Sequence, residues 1–259
     1  MSGSRWGPYH YQLVQLGFVN QARARVREAQ ARARALRAPG PQVAALWFEA
    51  LIEVRIGKAE RVAERSAQML ALAEEYALMP HVRAVHLWLS GWAQARLGDP
   101  HAGYRRINEG YEQAVPFGLR ALASEARTYG AEALALAGDW VAARRQVVEA
   151  MQCADAIGER QYLTQLLLLD ARIADGFGEP DRARESIRRA IAEARLQEAP
   201  WLELAALSAR CERPDVSAKD FAALAHVVEQ LTEGLDTAQV ARARELLKRR
   251  RGASTSARR

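Results

Sequence analysis

The stretch Gly91-Trp92-Ala93-Gln94-Ala95-Arg96-Leu97-Gly98-Asp99-Pro100-His101-Ala102-Gly103 holds a helix end, a turn and a helix start in one short span. Leu97-Gly98 is the ending, because glycine enters the left-handed conformation that closes a helix at little cost. Asp99-Pro100 is the beginning. Proline suits the first helical turn, where its missing N–H has no partner to lose, and an acid suits the positive end of the helix dipole. The small residues Gly91 and Gly103 on either side of the turn mark where the two helices approach closely.

The same punctuation recurs. Gly17, Gly57, Gly98, Gly138 and Gly178 are spaced 40, 41, 40 and 40 residues apart and follow Leu16, Ile56, Leu97, Ala137 and Phe177. Five residues after each glycine come Ala22, Val62, Gly103, Ala143 and Ala183; twelve after come Ala29, Met69, Gly110, Ala150 and Ala190. Seven before the last four stand Ala50, Gly91, Ala131 and Ala171. Glu179-Pro180-Asp181 repeats the proline start. Ala22, Val26, Ala29, Ala33 and Leu36 form one apolar stripe on the first return helix. Single repeats cannot bury such faces, whereas stacked repeats can.

The expected fold is all-α, a solenoid of about six antiparallel helix pairs with a period of about 40 residues and a C-terminal capping helix. Outgoing helices are expected near 43–56, 81–97, 119–137 and 159–177, after a short one near 9–16. Return helices are expected near 20–37, 59–77, 101–115, 140–156 and 181–197, then a shorter pair near 200–210 and 217–232 and a cap near 237–250. Residues 1–8 read as a flexible N-terminus, 9–250 as the repeat domain and 251–259 as a disordered basic tail.

Composition supports a packed helical body: 49% of residues are hydrophobic and 26% charged, which places the chain among core-forming proteins. The net charge of +6 is local, since Lys248, Arg249, Arg250, Arg251, Arg258 and Arg259 follow Leu247 with no acid among them. A basic tail is not the footprint of a nucleic-acid-binding domain. Cys153 and Cys211 lack metal or redox spacing and read as reduced, buried thiols of a cytoplasmic protein. The N-terminus carries no apolar signal core, and no apolar run approaches the roughly 20 residues that span a bilayer.

The leucine-glycine and spaced-alanine pattern resembles the tetratricopeptide repeat, with helices longer than in the common form of about 34 residues. More specifically, the chain resembles the C-terminal repeat region of bacterial adenylate or guanylate cyclase–ATPase fusions and of ATPase-type transcriptional regulators. The resemblance is carried by Gly91-Trp92-Ala93 with Leu97-Gly98, by Gly158-Glu159-Arg160-Gln161-Tyr162 opening a helix, and by Ala190-Ile191-Ala192 with Ala194-Arg195-Leu196-Gln197. Glu203-Leu204-Ala205-Ala206 and Thr232-Glu233-Gly234-Leu235-Asp236-Thr237, before Ala241 and Leu246-Leu247, complete it. In such proteins an ATPase precedes the repeats. Here the chain is expected to begin inside the array, and Gly57-Lys58 lacks the glycine and hydroxyl residue of a phosphate-binding loop.

The resemblance implies a concave groove lined by the outgoing helices. Counting back from the turn glycines places Trp47, Arg55, Trp88, Trp92, Arg96, Glu125, Thr128, Glu132, Gln165 and Arg172 on it. Aromatics supply contact area and arginine forked hydrogen bonds, so these residues are candidates for gripping a peptide or small polar ligand. The alternative is that the tryptophans fill seams between repeats. His81 and His86 are five apart, which does not align two metal ligands on one helix face. No G-x-S-x-G or H-E-x-x-H occurs, so no catalytic residue, metal ligand or cofactor is assigned. Arginines 23, 25, 27, 32, 34 and 37 give the first return helix a polar face that reads as solvated.

The expected function is a non-catalytic scaffold that binds a protein partner, peptide segment or effector in bacterial signalling or transcriptional regulation, with a signalling ATPase or cyclase as partner. Self-association through the N-terminal repeat, near residues 9–18, is expected from its unstacked face. Two alternatives stand beside this: part of a cyclase or ATPase enzyme whose catalytic domains lie elsewhere, or a nucleic-acid-associated regulator using its basic ends.

Overall fold

In a computed structural model, residues 12–78, 81–114 and 123–256 are described, and among them every regular element is a helix. After a helical turn at 12–15 come α1 (Val19–Ala35), α2 (Pro39–Arg55), α3 (Ala59–Glu75), α4 (Val82–Arg96), α5 (Pro100–Ala114) and α6 (Ala123–Leu136). Then follow α7 (Trp140–Ile157), α8 (Leu163–Gly176), α9 (Pro180–Leu196), α10 (Pro200–Cys211), α11 (Ala218–Gln230) and α12 (Ala238–Ser256). Consecutive helices pack on one another, and the outgoing helices α4, α6, α8 and α10 also touch in sequence. The result is a helical solenoid with the outgoing helices as its inner layer.

The element boundaries differ from expectation where local chemistry decides them. Helix α2 starts earlier than 43, because Pro39 takes a first-turn position. Helix α8 starts at Leu163 and not 159: Gly158, at φ 68°, ends α7, so Gly158-Glu159-Arg160-Gln161-Tyr162 is a turn and not a helix start. Helix α12 continues to Ser256, past the expected end at 250. The expected flexible segment 1–8, residues 9–11 of the first outgoing helix, the start of the fourth near 119 and residues 257–259 lie outside the described residues.

All five turn glycines have positive φ, from 71° to 114°. At Gly57 the amide bonds to Val54 O at 3.0 Å and the next amide, of Lys58, bonds to Glu53 O at 2.9 Å, the paired closure that satisfies helix-end carbonyls. Three of the turns leading back from return to outgoing helices use the same closure without glycine, whereas the α7–α8 turn uses Gly158. Arg37, Ala77 and Glu198 sit at φ of 49°, 50° and 50°, followed by Ala38 N–H to Ala33 O, Leu78 N–H to Ala73 O and Ala199 N–H to Ala194 O at 2.9, 2.8 and 3.0 Å. No residue type announces these turns in the sequence.

The ends of the array meet. Val14, Val19 and Val26 share one buried cluster with Leu204, Leu224, Leu231 and Val240. Each such fully buried side chain contributes about 1.5–3 kcal/mol. Gln21 donates from its amide side chain to Glu233 at 2.7 Å and from its backbone N–H at 3.0 Å. Gly17 lies so close to Leu231 that a Cβ there would come within 2.5 Å of that side chain. The chain's own C-terminal helices therefore pack against its first helix. Within the N-terminal stretch expected to seek another chain, Val14 is fully buried, while Leu16 and Phe18 remain exposed.

Candidate functional site

The inner layer carries a buried polar cluster. Arg55, the last residue of α2, is 4% exposed and extends its guanidinium over the ring of Tyr162, 4.7 Å from the centroid. Glu125, in the first turn of α6, is 3% exposed. Tyr129 follows it on the same helix face and is buried, as is Tyr162 before α8. Burial pushes the Glu125 carboxyl up to about 7, against the lowering effect of the Tyr162 and Tyr129 hydroxyls and of Arg55. Burial and the Glu125 charge together hold both tyrosines well above the ordinary phenol range. Gln165 Oε1, one turn beyond Tyr162, is buried with no hydrogen-bond partner among the described residues, and an orphaned acceptor of this kind costs about 1–3 kcal/mol.

The backbone of Arg55 anchors the cluster. Its carbonyl, one of the last four of α2 and without an intrahelical partner, accepts from Trp201 Nε1 at 3.4 Å and from Gln239 Nε2 at 2.9 Å. The closure of the array thus caps α2 and fixes the residue whose side chain plugs the interior.

A second cluster lies alongside. Trp92 Nε1 donates to Glu132 at 2.8 Å, and Arg96 forms an ion pair with the same carboxylate while its guanidinium sits 5.1 Å from the Trp92 ring centroid. Trp92 also meets Tyr129, ring centroids 6.2 Å apart, which joins the two clusters.

Of the ten positions assigned to the groove, the structure gathers Arg55, Trp92, Arg96, Glu125 and Glu132 in these clusters, with Gln165 one turn beyond Tyr162. Trp88 is fully buried among packed helices, as the seam alternative expects. Thr128 is buried and donates to Ser124 O at 2.6 Å within its own helix. Trp47 is partly buried beside Phe48, and Arg172 is exposed, apart from both clusters. Tyr129, Tyr162, Trp201 and Gln239 were not assigned. Tyr129 stands four residues after Glu125 and Tyr162 three before Gln165, so counting along each helix face would have found these two. Trp201 and Gln239 become neighbours only through closure.

The remaining polar candidates divide simply. Arg23 pairs with the buried Glu53 through both ends of its fork at 3.0 and 2.9 Å, while Arg25, Arg27, Arg32, Arg34 and Arg37 are exposed. Cys211 is buried, and burial pushes its thiol up to about 11; Cys153, expected to be buried, is partly exposed. No cluster of three or more metal-ligating side chains and no helix long and apolar enough to cross a membrane occurs among the described residues. No protein-family model matches the chain, and comparison with curated proteins gives no match.

Proposed function

We propose that the chain is a non-catalytic, tetratricopeptide-like interaction scaffold of a cytoplasmic bacterial signalling or transcriptional regulator. It binds a protein segment or effector at its inner layer and passes occupancy to a signalling ATPase or cyclase through the closure of the array. The observation that carries this reading is the Arg55–Glu125–Tyr129–Tyr162 cluster. Burying an arginine and a carboxyl on the inner wall costs stability that apolar packing would not, whereas a site with a task justifies the cost. The partner class follows the resemblance of Thr232-Glu233-Gly234-Leu235-Asp236-Thr237 to the regulator family.

The test is hydrogen exchange on the chain alone and mixed with a P-loop ATPase or cyclase encoded beside it. The expected result is a stable complex with slowed exchange in α6 and α8, weakened by Tyr162→Phe in a variant of unchanged circular dichroism. No complex and unchanged exchange would contradict the proposal, as would nucleotide turnover by the isolated chain.

A further inference from the structure

Two repeats close the seam between an outgoing helix and its return helix with an ion pair in the same register. Glu49, eight residues before Gly57, pairs with Arg61 at 3.6 Å and with Arg65 at 2.9 Å, four and eight residues after that glycine. Asp170, eight residues before Gly178, pairs with Arg182 at 2.7 Å and accepts from Ser186 at 2.5 Å, again four and eight residues after the glycine. Around Gly98 the same three positions are Ser90, Ala102 and Arg106. The arginine equivalent to Arg65 is kept, and its carboxylate is replaced by a serine. Arg106 is exposed and makes no ion pair among the described residues.

This repeat also differs in shape. It alone has glycine at all three close-contact positions, Gly91, Gly103 and Gly110. A Cβ at Gly103 would meet Gly91 O at 2.5 Å, and one at Gly110 would meet Ala84 O at 2.7 Å, so α5 lies on α4 backbone to backbone. Between α5 and α3 the surface opens into a shallow, solvent-open groove of about 660 Å3. His86, Ser90 and Gln94, one turn apart along α4, form its floor. Ala63 and Arg106 form the walls, and the Leu97-Gly98-Asp99 turn closes one end. Burial holds the His86 imidazole below its ordinary pKa, so Arg106 is the cation of the groove. The Ser90 hydroxyl already donates to Leu87 O at 3.2 Å, which leaves Arg106 and the Gln94 amide as donors to a guest. Ser90 and Trp92 lie on opposite faces of α4, so this groove is separate from the inner cluster.

We infer that the α3–α5 groove binds a small organic acid, whose carboxylate pairs with Arg106 above Ser90 in the place that Glu49 and Asp170 fill in two other repeats. An arginine fork and an amide match a carboxylate's two oxygens, and a guest of this kind supplies from outside the charge the repeat lacks.

The experiment is calorimetric titration of the full chain with succinate, L-glutamate and citrate, and with neutral succinamide. At least one acid is expected to bind, with succinamide weaker than succinate by about tenfold or more. Arg106→Gln is expected to abolish acid binding. Ser90→Glu restores the internal carboxylate and is expected to abolish it too, while thermal stability is held or raised; this second variant separates loss of the site from loss of the fold. Absence of binding by all three acids, equal binding of succinate and succinamide, or undiminished binding by both variants would overturn the inference.

Discussion

Gln239 donates from Nε2 to the carbonyl oxygen of Arg55 at 2.9 Å, joining residues 184 positions apart. Trp201 Nε1 reaches the same oxygen at 3.4 Å. Two side chains from the C-terminal helices thus cap an N-terminal helix, while the side chain of the capped residue occupies the interior. Helix capping and closure of the array are one event.

Trp201→Phe removes one donor together with part of the buried indole, and Gln239→Ala removes the other donor. Gln239→Ala is expected to cost about 1 kcal/mol and Trp201→Phe more, with the pair costing more than the sum, because the second loss leaves the carbonyl uncapped. Urea unfolding followed by circular dichroism gives the values, and strictly additive losses would argue against a shared acceptor.

The Glu125 carboxyl titrates at about 7 when folded against 4.5 when free, chiefly because burial penalises its charge. A carboxyl whose folded pKa is raised favours the fold when protonated. Its contribution is fully present below pH 4.5 and is lost as pH rises through about 7, an amount on the order of 3 kcal/mol at most. Glu125→Gln is expected to flatten the decline in stability between about pH 4.5 and pH 7. Asp170 acts in the opposite sense: burial would raise it, but Arg182 and Ser186 outweigh burial and hold it below the ordinary carboxylate range. Its stabilisation is present above its free pKa and is lost as pH falls through the lower folded value, so Asp170→Asn is expected to shift the acid limb and not the neutral one.

Ala77 occupies the left-handed region at φ 50° to close α3. A side chain there costs about 1–2 kcal/mol, part of which Ala77→Gly recovers against the greater freedom of glycine in the unfolded chain. A rise in melting temperature is expected. A fall would mean that the methyl group packs more usefully than the geometry indicates.

Gly110→Val places a branched side chain against the α4 backbone and is expected to destabilise by about 1–3 kcal/mol or more. Gly40, in the first turn of α2 with nothing near it but its chain neighbours Pro39 and Pro41, is the control: Gly40→Ala is expected to cost about 1 kcal/mol or less, the residue before proline being disfavoured in helical conformation. Equal costs at the two positions would contradict the close approach of α4 and α5.

Much of the fold was legible because its signals are local. Gly57 or Gly178 ends a helix by its own conformational freedom, and Pro100 or Pro180 starts one by lacking an N–H. Turns at Arg37, Ala77 and Glu198 were placed only by the need for a return, since hydrogen-bond closure there overrides residue preference. Closure was not legible at all. Val14 and Leu231 are ordinary apolar residues, and nothing in the spacing of the repeats states how far each pair rotates on the last. The inner cluster was half visible for the same reason: Arg55 and Glu125 follow from counting along helices, whereas Trp201 and Gln239 depend on accumulated curvature.

The account rests on the two ends of the array sharing one core, and an engineered crosslink tests this most directly. Gln21→Cys and Glu233→Cys, in a chain carrying Cys153→Ser and Cys211→Ala, place thiols at the roots of two side chains whose ends now exchange a 2.7 Å hydrogen bond, within the span of a short bis-maleimide. Rapid intrachain crosslinking by that reagent, independent of protein concentration and accompanied by a rise in melting temperature, is the expected result. A chain that forms no crosslink under native conditions, or forms it only between molecules, would contradict closure.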